Sequence, residues 1–329
     1  MRIFSGIQPT GRKHLGNYIG AIEGWVEGQE RGDPAIYCVV DLHALSVPYD
    51  PAALREYVYD TIAILMAAGL DPARSILFRQ SDVREHTELM WMLSAVTSHG
   101  DLNRMTQFKD KSARQRELVS AALFLYPVLQ AADVLAYRAH EVPVGEDQRQ
   151  HVELMRDVAE RFNERFGETL VAPEAVIPEV GARIMDLQDP TSKMSTTSSN
   201  ENGLILVLDE PKTIVKKVKS AVTDSGSEVV RAPDKLGISN LIEIAAVIRG
   251  VEPEAVEREF EGKRYGDFKS AVADEIVEYL RPARERYAEL RGDEAALEEI
   301  LGAGADRARA LAAETLADVR RAMGVGTPA

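Results

Sequence analysis

The sequence predicts an α/β fold, a parallel sheet with helices on its faces followed by a long helical region, on three observations. Short apolar runs bounded by polar turns alternate with stretches of helical periodicity as far as Asn202. Polar residues stand at the carboxyl ends of those runs, where open α/β sheets hold their ligands. Beyond Asn202 the pattern is helical almost throughout, broken only over 225–237. The shift sets an expected boundary, with a sheet-bearing domain over 1–201 and a helical one over 202–329.

The first run, from Arg2, is short enough for a buried strand and breaks at Gln8-Pro9-Thr10-Gly11. A helix resumes at Gly16-Asn17-Tyr18 and continues to Glu30. A helix start carries unpaired N–H groups and the positive end of its dipole, so the turn before it is a natural seat for phosphate oxygens. Neither G-x-x-x-x-G-K-[ST] nor G-x-G-x-x-G is present there, which excludes the two familiar glycine-rich signatures. His14 and Asn17, three apart, share one face of the first turn. Both can donate to an anion, and both can equally serve as caps of the helix.

Residues 35–40 form the next strand, ending in Asp41-Leu42-His43, and 51–68 a long helix that starts after Asp50. Residues 75–78 are a third strand before Gln80-Ser81-Asp82. Helices follow over 87–100 and 118–138, joined by a basic linker from Arg104 to Lys111. The second carries Tyr126, Gln130 and Asp133 as a polar stripe on an apolar surface. Burying a bare carboxylate there costs several kcal/mol, so Asp133 is paired or ligand-directed if buried, and otherwise an exposed residue of a surface helix. Val142-Pro143-Val144-Gly145 leads into Glu146, Asp147 and Gln148, whose acidic pair opens a helix running to Phe166. That pair can cap the helix, or hold a ribose or a metal-bound nucleotide. Residues 173–178 read as loop and 182–185 as a brief strand leading into Lys193-Met194-Ser195-Thr196-Thr197. Farther on, Lys212, Lys216 and Lys219 share one side of a helix, a solvated face or a local basic surface for a structured RNA. An Ala-rich, acidic helix pair is expected over 293–323.

Composition fits a soluble protein, 45% hydrophobic and 28% charged over 329 residues. No run is long enough to span a bilayer and no leader precedes the first strand, so a cytoplasmic location is expected. A net charge of −14 argues against DNA or an anionic membrane as the main partner. The single Cys38, set among apolar residues, reads as core and makes neither an internal disulfide nor a cysteine zinc site.

Taken together, SGIQPTG, GNYIGA, VDLHA, MTQFKDKSA, VPVGEDQRQH, GARIM, the lysine loop and KSAVTDSG resemble, nearly end to end, the bacterial tryptophanyl-tRNA synthetases of class I. The resemblance implies a Rossmann-type catalytic domain, a helical anticodon-binding domain and a homodimer. It also implies that ATP and Mg2+, the metal bound through the nucleotide, convert L-tryptophan to tryptophanyl-adenylate before transfer to tRNA(Trp). By position, His14, Asn17, Lys193, Ser195 and Lys111 would be catalytic. ATP would be held by Gln8, Pro9, Thr10, Gly16, Asn17, Gly145, Glu146, Asp147, Ile184 and the loop Lys193, Met194, Ser195, Thr196, Thr197. Tryptophan would lie among Phe4, Gly6, His43, Tyr126, Gln130, Asp133, Val142, Val144 and Gln148, with Asp133 accepting the indole N–H.

Three positions depart from the family's usual pattern. His14 replaces a common Thr, and Gln130 a frequent Met, giving a Tyr126, Gln130, Asp133 set similar to that of tyrosyl enzymes. Thr196 replaces the second lysine of the loop. A lysine lost at ~4 Å from a phosphate oxygen forgoes roughly 4 kcal/mol of gross Coulomb energy at an effective dielectric near 20. Arg12 and Lys13, or Lys109 and Lys111, are expected to make up that deficit. The alternatives are a tyrosyl-tRNA synthetase-like enzyme and a non-catalytic paralogue that binds tryptophan or RNA.

Overall fold

The computed structural model describes residues 1–9, 12–31, 35–108, 119–177, 184–195 and 200–326. Five parallel strands, β1 (Ile3–Ile7), β2 (Ala35–Val39), β3 (Ile76–Arg79), β4 (Glu141–Pro143) and β5 (Glu174–Val176), form one sheet in the order β3-β2-β1-β4-β5. Every residue of β2 is buried, as expected of a parallel strand covered on both faces. Its register with β1 pairs Phe4 with Ile36 and Gly6 with Cys38, which places Cys38 in the core. A Cβ on Gly6 would stand 2.9 Å from the Val40 side chain, so the close approach there requires glycine.

The helical run 15–29 consists of Leu15–Asn17, a π-helical turn Tyr18–Ile22 and Glu23–Gln29, together α1. Then come α2 (Asp41–Ala44), α3 (Pro51–Ala67), α4 (Glu85–Ser94), α5 (His99–Arg104), α6 (Ala121–Leu135) and α7 (Arg149–Phe166). Asp50 caps α3 by accepting from the amides of Ala52 and Ala53, with Pro51 at the first position where no donor is lost. The second part of the chain holds α8 (Pro211–Lys219), α9 (Leu236–Arg249), α10 (Pro253–Glu259) and α11 (Tyr265–Arg291), and the last helix is α12 (Glu294–Met323).

The structure differs from the sequence reading in five places, one of them the strand expected over 182–185, of which the described residues Ile184 and Met185 show only an isolated bridge from Met185 to Lys193. Residues 174–176 form an edge strand where a loop was expected, and the helix over 87–100 is two helices, the second capped by Ser98. The expected pair at 293–323 is one continuous helix capped by Asp293. The compact units also divide the chain elsewhere than at Asn202. The first holds 1–10, 25–178 and 293–329, the second 11–24 and 179–292. The physical reason is Gly304, where a Cβ would lie 1.9 Å from the Leu77 carbonyl oxygen, so α12 packs directly on β3. Arg79 with Glu298, and Arg307 with the carbonyls of Pro72 and Ser75, fasten the same contact.

In the second unit α8 and α9 pack on α11 around Ile214, Val218, Leu241, Phe268, Val272 and Ile276, all fully buried. Lys217 is buried against Asp209 at 2.6 Å, whereas Lys212, Lys216 and Lys219 are exposed together on the opposite side. Among the described residues no helix is long and apolar enough to cross a membrane.

Candidate active site

In the first unit a cavity of about 300 Å³ opens at the carboxyl ends of β1, β2 and β4. Its lining includes all nine residues expected to form the amino-acid pocket: Phe4, Gly6, His43, Tyr126, Gln130, Asp133, Val142, Val144 and Gln148. Gln8, expected at the nucleotide, lines this cavity as well. The sequence reading missed Ile7, Val40, Gln107, Val134 and Met155, which complete the wall; apolar periodicity marks the four apolar ones only as core, and nothing near Gln107 singles it out.

Asp133 is 2% exposed, which decides between the two readings of the polar stripe. Its Oδ2 accepts from His43 Nε2 at 2.7 Å. Its Oδ1 accepts from Gln80 Nε2 at 2.6 Å and from His86 Nδ1 at 2.6 Å. Burial presses the Asp133 pKa upward, but the His43 and His86 rings hold it well below the usual carboxylate range. A carboxylate offers about four acceptor positions, and three are used here. Among the described residues no donor takes the fourth, on Oδ2, which is open to a donor in the cavity. Tyr126 bonds His151 through its hydroxyl at 3.0 Å, and burial raises that phenol to about 12. Gln130 donates to Gln148 at 3.3 Å.

In the second unit the start of α1 is a closed capping box. His14 Nδ1 accepts from the Asn17 amide at 3.3 Å, and Asn17 Oδ1 accepts from the His14 amide at 3.2 Å. Capping and anion binding are therefore not alternatives. An Nδ1 that accepts puts the ring proton of neutral His14 on Nε2, and an Oδ1 turned to the backbone leaves the Asn17 amide NH2 as the donor. Burial, then the charges of Lys193 and Lys13, push the His14 pKa down to about 4. His14 thus offers a neutral N–H at pH 7. Lys13 is itself buried, and burial lowers its pKa to about 8. Arg12, by contrast, is exposed and paired with Glu201 at 3.0 Å.

The loop bearing Lys193 is held to the same element set. Residues 13–15 lie against 205–207 through Leu15 N–H to Ile205 O, 2.8 Å, and Val207 N–H to Lys13 O, 3.0 Å. Met185 bridges Lys193, and Met194 N–H donates to Ile184 O at 3.0 Å. Asn240, which sequence reasoning missed, clasps both backbone groups of Met185, at 2.9 and 3.0 Å. A Cβ on Gly16 would meet the His14 ring at 3.1 Å and Ile184 at 3.4 Å, so glycine keeps a narrow slot between them. Met194 is buried, Ser195 half-buried and Lys193 exposed.

Other expected nucleotide contacts belong to the first unit or to residues outside those described. Gly145, Glu146 and Asp147 are exposed in the first unit, where Glu146 pairs with Arg149 at 2.7 Å and Asp147 accepts from Gln148. Pro9 is buried. Thr10, Lys109, Lys111, Thr196 and Thr197 lie outside the described residues.

A parallel α/β unit with a small-ligand cavity at its strand ends, and a second unit pairing an H-x-G-N helix start with a lysine loop, define an α/β enzyme that acts with a nucleotide. Residues 1–281 match the model of the family described as tRNA synthetases class I (W and Y), and the chain belongs to that family. It is 54% identical to tryptophan--tRNA ligase 2 of Streptomyces avermitilis, over 96% of this chain and 94% of that one. To the tryptophan--tRNA ligase of Wolinella succinogenes it is 49% identical, over 98% of each. The crystal structure of the Campylobacter jejuni tryptophanyl-tRNA synthetase complexed with ADP and tryptophan superimposes with a TM-score of 0.85 at 34% identity, over 99% of this chain and 100% of that one.

Proposed function

We propose that this protein is a tryptophan--tRNA ligase, activating L-tryptophan with ATP to tryptophanyl-adenylate and pyrophosphate, then passing the acyl group to tRNA(Trp). The observation that carries the reading is the buried Asp133 carboxylate, with three donors bound and one acceptor position left in an otherwise mostly apolar cavity. An indole N–H completes it. A side chain that cannot donate leaves a buried charge short of a partner, and phenylalanine is rejected on that ground. Tyrosine can donate too, so cavity depth must exclude it.

ATP is assigned to the start of α1 and the lysine loop. The tryptophan carboxylate attacks the α-phosphorus, the bond to the bridging oxygen breaks, and the charge that grows on pyrophosphate needs donors already in place. His14 Nε2–H, the Asn17 amide and Lys193 are those donors, and Ile184 beside Gly16 is the adenine contact. Lys13 rather than Arg12 takes over from the lysine replaced by Thr196, because its charge already bears on His14 while Arg12 is tied to Glu201 at the surface. Mg2+ would ride on the phosphate oxygens of the nucleotide. A homodimer in the cytoplasm, with no DNA partner, completes the reading.

Tryptophan-dependent ATP–pyrophosphate exchange, with tyrosine as control, tests it. Exchange with tryptophan and none with tyrosine is expected. Exchange with tyrosine alone would make this the tyrosyl enzyme, and binding of tryptophan without exchange would make it a non-catalytic paralogue.

A further inference from the structure

Behind Asp133 lies a second layer that the cavity does not reach. His86, at the start of α4, is fully buried and lines no part of the cavity, yet it spends both ring nitrogens on the network. Its Nδ1 meets Asp133 Oδ1 at 2.6 Å, and its Nε2 meets the Tyr137 hydroxyl at 2.6 Å. Gln80, also fully buried, accepts the Leu42 N–H on Oε1 at 3.1 Å, which turns its NH2 toward Asp133. Because an ionised carboxylate only accepts, His86 donates through Nδ1–H, and Oδ1 is filled from behind by two N–H groups, while Nε2 and the Tyr137 hydroxyl share one further hydrogen bond. Tyr137 is held by stacking on Phe4, with ring centroids 5.4 Å apart and planes at 12°, and Phe4 is a wall of the cavity. A carboxylate held by one histidine could swing about its Cβ–Cγ bond. With Oδ1 fixed by two donors from different elements, it cannot.

Building on the tryptophan reading, we propose that His86, supported by Tyr137 and Gln80, is a positioning residue that sets specificity. It never touches the substrate, but it locks Asp133 so that the open position on Oδ2 is kept for the indole N–H. A purely structural His86 would affect stability and leave the choice of substrate unchanged.

The test compares two substrates on one preparation of the full chain in pyrophosphate exchange: L-tryptophan, and β-(3-benzothienyl)-L-alanine, in which sulfur replaces the ring N–H. The ratio of their kcat/KM values is independent of how much enzyme is folded. His86→Leu, which removes the Nδ1 donor, is expected to lower that ratio by about tenfold or more, the worth of one hydrogen bond to a charged group. The KM for ATP should stay unchanged. His86→Asn, which returns an N–H close to the Nδ1 position, should stay within about threefold of the parent. If His86→Leu does not fold, Gln80→Met, which removes the other donor to Oδ1, carries the same expectation. A ratio unchanged in the donor-less variant, or not restored by His86→Asn, overturns the proposal alone. A parent enzyme that fails to tell the two substrates apart removes the Asp133 reading, and this proposal with it.

Discussion

Lys13→Met sets the needs of the fold against those of the nucleotide. The Lys13 side chain is buried, and its ammonium titrates at about 8 instead of 10.5. Because the folded value lies below the unfolded one, both states are protonated below pH 8 and the folded protein there bears the net cost of holding that charge, burial outweighing whatever its neighbours return. Between pH 8 and 10.5 the folded state gives up its proton first, and stability from this group rises with pH. A depression of that size amounts to roughly 3 kcal/mol. Methionine fills a similar unbranched volume without charge, so the variant is expected to be more stable at pH 7 by about 2–3 kcal/mol in urea melts. The gain should shrink by pH 9.5 as the parent's lysine discharges. The same variant should raise the KM for ATP about tenfold or more in pyrophosphate exchange, since the triphosphate loses a cation in a poorly solvated place. A variant no more stable than its parent at pH 7 would refute the burial argument, and an unchanged KM for ATP would remove Lys13 from the phosphate site.

His14→Asn keeps a good cap and removes a titrating ring whose pKa is depressed to about 4. The parent should therefore lose stability relative to the variant as pH falls from 6.5 to about 4, by up to roughly 3 kcal/mol, with no such divergence above pH 7 in parallel denaturation curves. Asn240→Ala releases both backbone groups of Met185, and should raise the KM for ATP while tryptophan affinity, measured by fluorescence titration, stays put. Gly304→Ala drives a Cβ into the Leu77 carbonyl oxygen, and chemical denaturation should report a loss of about 3 kcal/mol or more, or no soluble protein.

What the sequence made legible were features with local causes. The apolar runs of β1, β2 and β3, the Asp50 cap and the stripe of Tyr126, Gln130 and Asp133 each reside within one turn or one strand of neighbours. What it hid depends on partners far along the chain. β5 is three residues with an alanine at its centre, a strand only because β4 lies beside it. His86 and Gln80 stand 47 and 53 residues from the carboxylate they hold; the strand end marks Gln80 only as a polar position, and nothing in the surroundings of His86 marks it. Gly302 and Gly304 interrupt an alanine-rich stretch as a turn would, yet Gly304 is there to let a helix approach a strand. The nucleotide side was legible as a motif and ambiguous as chemistry until the capping box showed which atoms of His14 and Asn17 are engaged.

The packing of α12 on β3 bears on how the chain matures. The ribosome delivers β3 early and the helix that covers it only after all of 179–292 has been made. Through that interval the α12-facing side of β3 stands open on a nascent chain, while the second unit already has every segment it needs. Order of translation and order of assembly thus part company, and the unit that holds the cavity is the one left waiting. Chaperone shelter during that wait, more than any late step after release, should govern the yield of working protein.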